Sequence, residues 1–74
     1  MNPKNLKLNH YYLCFDSVEE KYVVSKYIKN LLNGYYKYTF KYINRVGSHI
    51  MTDYGVENYV IRELTYEETM AEIL

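Results

Sequence analysis

Seventy-four residues allow one domain and one core, and a chain of that size buries only ~60% of its unfolded surface, which limits its stability to a few kcal/mol. Cys14 is the single cysteine, which excludes an internal disulfide and leaves packing or self-association to stabilise the fold. A formal net charge of zero argues against a generic nucleic-acid coat, which carries a basic excess, and equally against a wholesale DNA mimic.

In chain order, residues 1–5 read as a flexible polar arm. Residues 6–15 carry the β-like pattern Leu6, Leu8, Tyr11, Tyr12, Leu13, Cys14, Phe15, apolar on both sides near its end, as in a strand covered on two faces. Asp16-Ser17-Val18-Glu19-Glu20 reads as a helix start, with Ser17 as N-cap and Glu20 closing a capping box. Val18, Val24, Tyr27, Ile28, Leu31 and Leu32 then recur at helical spacing, and Gly34 stands where a left-handed residue ends a helix. The expectation is an amphipathic helix over 18–33. Residues 35–43 form a strand by composition and period, with Tyr36, Tyr38, Phe40 and Tyr42 on one face and Tyr35, Lys37, Thr39, Lys41 and Ile43 on the other. A turn over 44–48 leads to a strand over 49–54, a reversal at Tyr54-Gly55, and a last strand over 58–64. Thr65 and Glu68 form a capping box that opens a C-terminal helix over 66–73, with Tyr66, Met70, Ile73 and Leu74 on one side. The predicted fold is α+β, in the order β-α-β-β-β-α. Its long helix packs on one face of an antiparallel sheet of three to four strands, all within a single domain spanning 1–74.

Little in this pattern points to catalysis. The only histidines are His10 and His49, and Cys14 lies in an apolar run where a thiol acts as a small hydrophobe. His10 and Cys14, four residues apart on one strand, are separated by about 13 Å; only Cys14 with His49, across strands, is left as a nucleophile–base pair. Two histidines and one cysteine without metal-ligand spacing argue against a structural zinc site. The glycines Gly34, Gly47 and Gly55 are isolated turn residues and do not form a phosphate cradle. The expectation is a protein with no enzymatic activity, no cofactor and no metal. No run approaches the ~20 apolar residues of a membrane span, and one reduced cysteine without a targeting segment gives a cytoplasmic address and no membrane partner.

Two features point to binding. Eleven tyrosines exceed what so small a core can bury with every hydroxyl satisfied, and tyrosine is favoured at interfaces because it offers a large contact area with little rotamer entropy to lose. Strand parity and turn placement make Tyr11, Tyr35, Tyr54 and Tyr59 the candidates for contact. The charge is also uneven. Residues 1–45 hold eight cationic side chains against three carboxylates, and residues 46–74 hold Arg62 alone against six. The acidic set Glu67, Glu68 and Glu72 could engage a basic groove on another protein or on a second copy.

The sequence is also rich in Tyr, Asn, Lys and Ile, which make up 30 of 74 residues and mark an A/T-rich gene. By analogy of type alone, these features suit a phage- or mobile-element-encoded protein that binds and inhibits or modulates a host protein. A defence nuclease would be such a target, as for CRISPR inhibitors. A homodimer fits the same features. The alternative from another class is a single-stranded nucleic-acid-binding accessory protein using Tyr35, Lys37 and Lys41, with rings stacking on bases and lysines neutralising phosphates. A structural subunit of a larger assembly is the third.

Overall fold

The segment after Asp16 decides the architecture, and it is a strand. In the computed structural model, which describes residues 1–73, Tyr11–Asp16 (β1) and Lys21–Asn30 (β2) form an antiparallel hairpin, where the sequence period predicts a helix over 18–33. The reason lies in side-chain type. Tyr22, Val23, Val24, Tyr27 and Ile28 are β-branched or aromatic and lose rotamer freedom in a helix. They also alternate correctly for a strand, with Val23, Ser25 and Tyr27 on one face and Tyr22, Val24 and Lys26 on the other.

The apparent helix cap is a turn. Asp16 Oδ1 accepts from the Val18 and Glu19 amides at 3.0 and 3.2 Å, and Glu20 adopts a left-handed φ of 53°. This is an Asx-type closure, which uses the same hydrogen-bonding chemistry as an N-cap. Gly34 does not take the positive φ of a helix stop; among the described glycines only Gly47 does, at 118°.

Three further strands, Tyr38–Tyr42 (β3), Ser48–Met51 (β4) and Val60–Glu63 (β5), complete a five-stranded antiparallel sheet in the order β4-β3-β2-β1-β5. Two helices, Asp53–Tyr59 (α1) and Tyr66–Ile73 (α2), finish the α+β fold. The first is an addition to the expected element order. Thr52 caps it by accepting from the Gly55 amide at 3.1 Å, so Tyr54-Gly55 lies inside a helical turn and is not a reversal between strands. The C-terminal helix agrees with the expected bounds. Its capping box is formed, with Thr65 Oγ1 accepting from the Glu68 amide at 3.2 Å and Glu68 Oε1 accepting from the Thr65 amide at 3.0 Å. Leu74 and the Ile73 side chain, expected on its apolar side, lie outside the described residues.

Register divides the sheet into two faces. The inner face carries Tyr12, Cys14, Tyr27, Tyr38, Phe40, Met51 and Val60, and α1 seals it with Val56. Phe40 is its centre, with ring centroids 5.2 Å from Tyr27, 5.5 Å from His49 and 6.1 Å from Tyr12. The N-terminal segment closes this core and is not a free arm. Met1 and Leu6 pack against it, and the Met1 amino nitrogen lies 3.0 Å from the Val60 carbonyl. The helix α2 lies on the outer face, over Leu13 and Val24; Val24 is buried there although it takes no part in the inner core. Among the described residues, no helix is long and apolar enough to cross a membrane.

Candidate functional site

Loop 31–37, between β2 and β3, shows the most unusual surface of the molecule. Leu32 is 80% exposed, Tyr35 77%, Tyr36 57% and Leu31 44%. The loop is nonetheless anchored. The Leu31 amide donates to the Lys37 carbonyl at 2.7 Å, the Gly34 amide donates to the Leu31 carbonyl at 3.1 Å, and the Tyr35 and Tyr36 rings meet edge to face at 5.2 Å. Its far end is tied to α1. Asp53 accepts from the Tyr38 hydroxyl at 2.6 Å and from Lys37 Nζ at 3.3 Å. The Tyr38 hydrogen bond, with Lys37 beside it, holds the Asp53 carboxyl below the usual carboxylate range, while burial, reinforced by Asp53, pushes the Tyr38 phenol up to about 12. These bonds bring Tyr54, itself 68% exposed, to the same end of the sheet.

The other candidates scatter. Tyr11 is half-buried on the outer face, with Lys26 Nζ 5.8 Å from its ring centroid. Tyr59 is half-buried and packs against the inner core. Glu67 and Glu72 are exposed on α2. Glu68 is engaged: Arg62 donates to it in a two-pronged pair, one contact at 2.9 Å, and together with the Thr65 amide this holds its carboxyl down to about 2. Tyr35, Lys37 and Lys41 do not share a strand face, because Tyr35 and Lys37 lie in the loop before β3 begins. Lys37 turns to Asp53, whereas Lys41 stands on the outer face opposite Lys26.

Of the eleven tyrosines, Tyr12, Tyr27 and Tyr38 are buried, Tyr11, Tyr42 and Tyr59 are intermediate, and Tyr22, Tyr35, Tyr36, Tyr54 and Tyr66 are exposed. The buried hydroxyls have visible partners where they reach the core edge. Tyr12 accepts from the Lys7 amide at 2.8 Å and donates to Glu63 Oε1 at 3.3 Å.

Cys14 and His49 occupy the same face but lie on β1 and β4. Three strand spacings separate them, about 14 Å, with the side chains of β2 and β3 between. Burial pushes the Cys14 thiol up to about 12, far from a nucleophilic thiolate. His49 is held by the Tyr42 hydroxyl at 3.2 Å, and its burial lowers its pKa, favouring the neutral ring. At the opposite end of the sheet from loop 31–37, Arg45 stacks 4.1 Å from the Tyr42 ring centroid and binds Glu19 at 2.8 Å and Asp16 at 3.0 Å, pinning two turns together.

Sequence reasoning missed Leu31, Leu32 and Tyr36. The two leucines belong to the apolar stripe of the expected helix, and Tyr36 to the covered face of the expected strand. Reading β2 at period two would have ended the strand before Leu31 and left both leucines in a loop; Tyr36 precedes β3, which begins only at Tyr38. No family model, curated protein or solved structure matches the chain.

Proposed function

We propose that the chain is a small, non-enzymatic protein-binding inhibitor or modulator that docks through the aromatic end formed by loop 31–37 and Tyr54. The observation that carries this reading is the exposure of Leu31, Leu32, Tyr35 and Tyr36 in one anchored loop. Contiguous apolar exposure on a small domain marks a contact surface, and tyrosine is among the residues that dominate interface energetics. The hydrogen bonds that close the loop reduce the ordering entropy lost on binding. The distance between Cys14 and His49 supports the non-enzymatic half of the reading. A cytoplasmic host protein of the kind targeted by phage accessory proteins, such as a defence nuclease, is the class of target suggested by analogy of type.

The test compares the wild-type chain with Tyr35→Ser/Tyr36→Ser, each immobilised and presented with purified candidate host proteins. Affinity should fall by at least about 30-fold, the loss of one hot-spot residue, while circular dichroism stays unchanged. Equal affinity for a confirmed partner removes this loop from the interface.

A further inference from the structure

The outer face of the sheet is half covered. Register sets Tyr11, Lys26, Lys41 and Ser48 side by side across β1 to β4, with Lys29, Thr39 and Ile50 in the adjoining row. The helix α2 covers Leu13 and Val24 and borders Tyr11, and beyond it a depression lined by Tyr11, Lys26, Ile28, Lys41, Tyr42 and Ile43 lies open. Lys26 and Lys41 are direct cross-strand neighbours, an arrangement that is destabilising without a counter-charge. Neither they nor Lys29 take part in the ion pairs among the described residues.

We infer that α2 of a second copy fills this trough, in a two-fold dimer whose outer faces meet. Three strands at ~4.8 Å spacing span about 10 Å, the width of one helix with its side chains. On α2, Glu67 stands on the outward side and Glu72 on the flank above Leu13 and Val24, both exposed and outside the ion pairs among the described residues, with Tyr66 78% exposed at the start of the helix. Ridge and trough therefore lie on one face, of matching width and opposite charge. A two-fold axis lying in the plane of the interface, between ridge and trough, sets each ridge in the other copy's trough, so every contact occurs twice and the assembly closes. A phosphate backbone crossing the same trough would run beside the carboxylates of α2, which disfavours nucleic acid as the occupant.

The experiment is sedimentation of the full chain between about 1 μM and 1 mM at low and high salt. The wild type should dimerise, less tightly as salt rises. Lys26→Glu/Lys41→Glu and Glu67→Lys/Glu72→Lys should each weaken the dimer at least about tenfold. An equimolar mixture of the two should recover it, because both halves of the mixed interface are then complementary. Circular dichroism monitors folding; if the strand variant does not fold, the α2 variant alone decides by its concentration dependence. A wild type that stays monomeric throughout, or variants that dimerise like it, overturns the inference. A monomer that binds a single-stranded oligonucleotide through Lys26 and Lys41 overturns it in favour of nucleic acid. Tyr35→Ser/Tyr36→Ser should dimerise like the wild type, so failure of the aromatic end as a docking site and failure of the dimer are read separately.

Discussion

Tyr12, Cys14, Tyr27 and Phe40 are sealed under α1 and the N-terminal segment, whereas their chain neighbours Tyr11, Leu13, Lys26 and Lys41 face outward beneath one short helix or none. The same strands thus build a dense aromatic core on one side and a partly vacant, cationic surface on the other. A sheet in a protein this small has two faces to cover and, among the described residues, two α-helices of seven and eight residues and the N-terminal segment to cover them. The inner face is finished within the chain. The outer one is left partly open, and it is the face on which the proposed dimer rests.

The largest effect should come from removing the centre of the inner face. Phe40→Ala should cost about 3–5 kcal/mol, by lost burial plus cavity, measured by urea unfolding. That approaches the whole stability of so small a domain, and a loss below about 1 kcal/mol would mean that the inner face is not the core. A smaller and local effect should follow at the edge of the outer face. Thr65→Ala removes the cap of α2 and should cost about 0.5–2 kcal/mol, read as faster amide exchange in α2 with the inner strands still protected. Acid sharpens the same point. Arg62 first, and then the Thr65 amide, hold the Glu68 pKa below its ordinary 4.5 at about 2, so the stability this carboxylate adds is present above pH 4.5 and is lost as pH falls toward 2. Amide signals of α2 should therefore shift in that window before those of β2. The smallest change belongs to the vacant surface. Lys41→Gln should alter monomer stability by no more than about 0.5 kcal/mol, in the stabilising direction because it relieves the repulsion with Lys26. It is measured by urea unfolding at low protein concentration, where no dimer forms.

Legibility in the sequence followed the range of the interactions involved. The helix α2 could be read because Thr65 and Glu68 form its cap between residues three apart. The strand β3 was readable from Tyr38 and Phe40, and the buried thiol from the apolar run around Cys14. The strand β2 was not, because its apolar positions satisfy both a helical and an alternating period, and Asp16 bonds its neighbouring amides in a turn much as it would at a helix start. The helix α1 left only the Thr52 cap as a signal, within a stretch short enough to pass for a strand and a reversal. The candidate site was legible in Tyr35 and Tyr54, whose exposure strand parity and turn placement suggested. Leu31 and Leu32 were hidden behind the mistaken period, and Tyr36 behind an expected strand that begins three residues too early.

Composition and local pattern alone determined a small α+β chain without a disulfide, with an aromatic core and more tyrosine than that core can hold. Those properties depend on residue type and on neighbours a few positions apart. Tertiary structure decided that 21–30 is a strand, because β1 and β3 supply hydrogen-bonding partners along both of its edges. It also decided which lysines meet and which tyrosines stay wet. A strand's backbone is satisfied only by other segments of the chain, so its identity and its two faces are set by pairing and cannot be read from its own residues.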